Sequence, residues 1–107
     1  MRASWGDEGE VVLDSGLTYD GADPVRVRVR KRGIRIDISD DGAAVRKAGI
    51  QGWRETAERT VELEGFNVNR AGVVFVPVVE GRDIGSLAER LAATSLAVYG
   101  DLLAQDD

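Results

Sequence analysis

Residues 25–38 read Val25-Arg26-Val27-Arg28-Val29-Arg30 and, after Lys31-Arg32-Gly33, Ile34-Arg35-Ile36-Asp37-Ile38. Apolar and charged residues alternate through each half. A strand turns successive side chains to opposite faces, so the segment reads as a β-hairpin, 25–31 and 34–39, with one apolar and one charged face. With a turn centred on Arg32-Gly33, Val29 stands opposite Ile36, Val27 opposite Ile38 and Arg28 opposite Asp37. Like then meets like on both faces. The same register sets Arg30 against Arg35, a like-charged pair that needs an anion nearby.

Upstream, residues 1–9 have no periodicity and are expected to be a flexible tail, with Trp5 a loosely docked member of it. Residues 10–107 are expected to form a single domain. Residues 10–13 and 17–19 suit short strands, and Asp20-Gly21-Ala22-Asp23-Pro24 is a loop by composition. Downstream, Ser39-Asp40-Asp41-Gly42 ends the hairpin and leads into a short helix over 42–48, stopped at Gly49. Trp53, Ala57 and Val61 mark one face of a helix over 52–64 that ends at Gly65. Phe66 and Val68 then alternate with Asn67 and Asn69, and Arg70-Ala71-Gly72 suits a three-residue turn into Val73–Val79. Glu80-Gly81-Arg82 is a turn, Asp83 an N-cap, and 84–104 a long helix with two adjacent apolar stripes. The expected fold is α+β: an antiparallel sheet of two hairpins with helices packed on one face, in the order β-β-α-α-β-β-α.

Ile38-Ser39-Asp40-Asp41-Gly42, the short helix ending at Ala48-Gly49-Ile50, the strand Gly65-Phe66-Asn67-Val68 and the long C-terminal helix together resemble a bacterial and phage family of domains of unknown function. The likeness covers about residues 17–105. It implies the same element order and carries no activity or catalytic residue with it.

Composition narrows the chemistry. The 107 residues contain no cysteine and no histidine. A Ser-His-Asp triad, a thiolate nucleophile and a His- or Cys-ligated zinc site cannot be built from them. No cofactor motif is present, and none of the 13 glycines forms a GxGxxG or P-loop pattern. The N-terminus lacks a basic start with an apolar run, and no apolar run can span a bilayer, so a cytoplasmic protein without membrane contact is expected. The net charge of −5 is segregated: −5 over residues 1–24, +5 over 25–52 and −5 over 53–107.

Three functional readings follow. The first is a non-catalytic protein-interaction domain that self-associates, most simply as a homodimer. Both faces of Val73–Val79 are apolar, as in a strand covered on both sides, yet Pro77 cannot donate a ladder hydrogen bond and points to an edge or bulge. A partner contact through Val73, Phe75, Pro77 and Val79, helped by the wide apolar surface of the last helix, reconciles the two. The second is anion or nucleic-acid binding through Arg26, Arg28, Arg30 and Arg35. Overall acidity and the lack of interleaved aromatics weigh against nucleic acid, and the acidic segment 1–24 could neutralise these arginines instead. The third is a carboxylate- or Mg²⁺-dependent enzyme using Asp37, Asp40 and Asp41, against which stands ordinary turn and capping chemistry for the same residues.

Overall fold

The computed structural model describes residues 9–79 and 83–105. The expected tail over 1–8, Trp5 included, and the turn 80–82 lie outside the described residues. Gly9 is described, and its carbonyl accepts a hydrogen bond from Lys31 N–H at 2.7 Å, so ordered backbone begins within the expected tail. The elements are β1 (Glu10–Thr18), β2 (Pro24–Arg32), β3 (Arg35–Ser39), α1 (Ala43–Ala48), α2 (Arg54–Leu63), β4 (Asn67–Val68), β5 (Val74–Val79) and α3 (Ile84–Gln105). They form one antiparallel sheet in the order β1-β2-β3-β5-β4. The α+β class holds, with three strands before the helices.

The first hairpin has its expected faces and a different register. Val29 pairs with Ile38, Arg30 with Asp37 and Arg32 with Arg35, two residues away from the expected pairing. The reason lies in the turn. Its two central residues are Gly33 and Ile34, and Gly33 has φ 62. A two-residue hairpin loop of type II′ needs a positive φ at its first central position, which glycine supplies without strain. The expected register would have placed Arg32 there. The shift leaves Ile34 72% exposed at the tip, sets Arg30 opposite Asp37, and moves the like-charged cross-strand pair to Arg32 and Arg35 beside the turn.

β1 is one strand where two short ones were expected. A bulge between Asp14 and Thr18 hides its continuity. Side chains replace the ladder there: Ser15 Oγ donates to Val25 O at 2.7 Å and accepts from Leu17 N–H, while Asp14 Oδ1 accepts from Gly16 N–H.

Inward residues of the sheet, among them Leu13, Val25, Val27, Val29, Ile36, Ile38 and Val74, meet Ala88, Leu91, Ala92, Val98 and Leu102 of α3. Each fully buried aliphatic side chain contributes about 1.5–3 kcal/mol relative to exposure. α3 also packs on α1 and α2, which cover part of its second apolar stripe: Ala92 is buried and Leu96 and Tyr99 are half-buried, whereas Leu103 stays 42% exposed. Asp83 caps α3 as expected, with Oδ1 accepting from Ser86 N–H at 3.0 Å.

Candidate functional site

The helices cover one face of the sheet. On the other, the register lines up Glu10, Arg30, Asp37 and Pro77 in one row across β1, β2, β3 and β5, and Val12, Arg28, Ser39, Phe75 and Asn67 in the next. The outer face thus grades from acids on β1, through arginines on β2, to an aromatic ring and a proline on β5.

Ion pairs satisfy most of the arginine row. Arg28 pairs with Glu10 and, at 2.7 Å, with Asp41; Arg30 pairs with Glu10 at 3.0 Å; Arg35 pairs with Asp37 at 3.0 Å. Partial desolvation raises the Glu10 pKa, but the adjacent Arg28 and Arg30 outweigh it and hold the carboxyl below its ordinary range. Neutralisation by the acidic N-terminal segment therefore occurs, through an edge strand of the same sheet. Arg26 differs from the other three. Asp14 stands opposite it, but the Asp14 carboxylate is turned toward Gly16 N–H in the bulge. Arg26 makes no ion pair among the described residues.

The residues expected at an interface separate. Phe75 and Pro77 lie on the outer face, Phe75 half-buried and Pro77 exposed. Val73 precedes β5 and leans toward Gly42, with Cγ2 3.5 Å from where a Cβ would stand on that glycine. Val79 ends β5 opposite Arg35. The edge expected from Pro77 is half realised. β3 pairs with β5 from Phe75 to Val79, whereas β4 covers only Val74 and Phe75 on the other side. Pro77, lacking an N–H, falls where β4 has ended, a placement that blunts the open edge. Beside this edge runs a groove of about 460 Å³ lined by Phe66, Val76, Val78 and Leu87, with Arg90 stacked 5.2 Å over the Phe66 ring and donating to Glu64 O.

The three aspartates do not all converge: Asp37 and Asp41 line one small cavity of about 100 Å³ with Arg28, Arg30 and Ser39, and Asp40 lies apart. Asp37 is on the outer face with Arg35, Asp41 is exposed beside Arg28, and Asp40 is buried in the core. No three carboxylates are grouped so as to share a metal ion among the described residues. Asp40 is instead a structural hub. Its Oδ1 accepts from Gly42 N–H at 2.8 Å and from Val74 N–H at 2.9 Å, and its Oδ2 accepts from Ser95 Oγ at 2.6 Å. Because the Ser95 hydrogen goes to Asp40, the 2.7 Å contact between Tyr19 OH and Ser95 Oγ has Tyr19 as donor. One buried carboxylate thus ties together the β3–α1 step, β5, α3 and the end of β1. Burial pushes its pKa up, against the opposing hydrogen bonds from Ser95, Gly42, Val74 and Ala44. Burial likewise lifts the Tyr19 phenol to about 12. Turn chemistry at Asp40 was legible; its bonds to Val74 and Ser95 were not. The one signal was Ser95, a hydroxyl set within the apolar stripe of α3.

At the end of the sheet beside this hub, a cleft of about 410 Å³ opens between the start of β2 and α1. It is lined by Val12, Asp23, Pro24, Arg26, Arg28, Asp40, Asp41, Ala43, Arg46 and Lys47. Asp41, at φ 57, is the one non-glycine residue with positive φ among those described, and Gly42 follows at φ 78. The two left-handed residues turn the chain sharply from β3 into α1 and place Arg46 and Lys47 on the cleft wall. Sequence reasoning missed both, since charges on a six-residue helix carry no spacing signal toward a strand 20 residues earlier.

No protein-family model, curated protein or solved structure matches this chain. No helix among the described residues is long and apolar enough to cross a membrane.

Proposed function

We propose that this chain is a small protein-interaction domain that pairs with a second copy of itself through the outer face of its sheet. One observation carries the reading: an uncovered face that sets Phe75 and Pro77 on β5 against arginines on β2, with β3 between them. Such a face is self-complementary. A twofold axis along β3 lays β2 of one copy over β5 of the other. Arginine stems then cover Phe75 and Pro77, and a guanidinium over an aromatic ring adds a favourable electrostatic contact. Val12, 47% exposed on β1, adds apolar surface to the same face.

The size of the face sets the strength. Five strands about 4.8 Å apart and about 20 Å long project roughly 500 Å². That is below the roughly 800 Å² per partner of a standard interface, the size class of weak, transient association, so dimerisation is sought at micromolar and higher concentrations.

Sedimentation equilibrium tests this. The wild-type chain should move from 11.5 kDa toward twice that mass as concentration rises through the micromolar range. Phe75→Asp, which sets an unpaired carboxylate in the middle of the contact, should stay at 11.5 kDa. A wild-type monomer up to about 200 µM, or an F75D variant that dimerises like its parent, would sink the proposal.

A further inference from the structure

The cleft between β2 and α1 carries a second inference, on residues that partly adjoin the outer face of the sheet. Four cations line it: Arg26, Arg28, Arg46 and Lys47. Its three carboxylates are already engaged. Asp23 is held by Lys47 at 2.7 Å, Asp41 by Arg28 at 2.7 Å, and Asp40 faces into the core toward Gly42, Val74 and Ser95. Two guanidinium groups remain with unspent charge. Arg26 has no ion-pair partner among the described residues, its cross-strand neighbour Asp14 being committed to Gly16. Among the described residues, Arg46 donates only to the main-chain carbonyl of Asp41, at 3.2 Å. Both side chains are exposed, on a chain whose net charge is −5.

We infer that this cleft binds a small organic phosphate, its dianionic group held between Arg26 and Arg46. Guanidinium groups match phosphate oxygens with paired, charge-assisted hydrogen bonds, whereas Lys47 is already engaged by Asp23 at 2.7 Å. The apolar part of the ligand has its own wall in Val12, Pro24 and Ala43. The space, about 410 Å³, is at the scale of small-molecule sites and exceeds what a bare phosphate ion fills. Arg30 and Arg35 take no part, because Glu10 and Asp37 neutralise them. The anion site expected from the four arginines of the hairpin thus contracts to one end of that row and recruits α1.

Backbone amide NMR shifts, recorded at constant ionic strength, test the site with two probes: phenyl phosphate and inorganic phosphate. Phenyl phosphate should produce saturable shifts at Arg26, Ala43, Arg46 and Lys47, and should saturate at a lower concentration than inorganic phosphate. Arg26→Ala and Arg46→Ala should each raise the half-saturation concentration about tenfold. Arg54→Ala, which removes an exposed ion pair on α2, should leave it unchanged. Both cleft variants alter exposed side chains, so an unchanged spectrum away from the cleft confirms that they fold. Shifts reproduced by sodium chloride alone, no saturation with either phosphate, or a half-saturation concentration in R26A and R46A equal to that of the parent would overturn the inference. Because Val12 and Arg28 also belong to the outer face proposed for self-association, the titrations are made in the Phe75→Asp background, which keeps that face open and separates the two proposals.

Discussion

Asp40→Ala should destabilise the domain by roughly 3–5 kcal/mol, enough to lower the urea midpoint by about 2 M. The effect follows from what the substitution strands. Gly42 N–H and Val74 N–H both end on Asp40 Oδ1, and Ser95 ends on Oδ2, all within the core. A buried donor left without an acceptor costs about 1–3 kcal/mol, and the substitution strands two such backbone donors, while Ser95 can turn to the Tyr19 oxygen 2.7 Å away. Against a total stability of about 5–15 kcal/mol, the loss takes the domain near its unfolding threshold. Asp40→Asn separates the charge from the hydrogen bonds. Its carbonyl can still accept from Gly42 and Val74, so the loss should be smaller.

The same pair of proteins carries a pH signature. In the fold the Asp40 carboxyl titrates above the value of about 3.9 that it has in the unfolded chain. Its contribution is therefore fully present below about pH 3.9 and is lost as pH rises through the higher folded pKa. D40N cannot ionise. Its stability relative to wild type should improve as pH rises from about 4. Glu10 has the opposite slope, contributing above its unfolded pKa and losing that contribution as pH falls through its lowered folded value. It is present in both proteins and cancels in the difference. A stability difference between D40N and wild type that does not change with pH would contradict the buried-carboxylate assignment.

Gly72→Ala should be the second most damaging single change among those considered. Gly72 has φ 83, and a Cβ built there would stand 2.9 Å from Val45 Cγ1 and 3.0 Å from Val45 Cβ. The left-handed backbone costs an alanine about 1–2 kcal/mol, and forcing a methyl into packed space about 1–3 kcal/mol more. Val45 is buried on α1 and branched at Cβ, so it has no slack to yield. The contact presses the β4–β5 turn onto α1 and so holds the helix that walls the cleft. Gly49→Ala is the matched control. Gly49 also has positive φ, 64, but a Cβ there meets nothing within 4 Å, so only the backbone strain applies. Thermal melting should place G72A about 10 °C or more below wild type and G49A about 5 °C below. Equal shifts for the two would show that Val45 relaxes freely.

Alternation made the inward and outward faces of β2 and β3 legible, because a strand has no other way to bury Val25, Val27 and Val29 together. Register was not legible from alternation, since any two-residue shift preserves it. It depended on whether Gly33 came first or second in the turn. β1 was split in two because Asp14 and Ser15 substitute side-chain bonds for ladder bonds, and a bulge breaks a period-two pattern. The arginine row was visible as charge, but its neutralisation was not: Glu10 lies 18 and 20 residues from Arg28 and Arg30, and strand pairing alone brings them together. The cleft combined the same difficulty with a backbone turn. Its basic wall depends on the left-handed pair Asp41-Gly42, whose geometry aims α1 back toward the start of β2.

What covers the outer face of the sheet can be read from a single thiol. The chain has no cysteine, and Ser39 lies on that face directly opposite Phe75. Ser39→Cys therefore places one reactive group in the middle of the proposed contact. Its rate of labelling by a small thiol reagent should fall as protein concentration rises through the micromolar range, in step with dimer formation. A labelling rate that stays constant from dilute to concentrated protein would mean that the face meets only water.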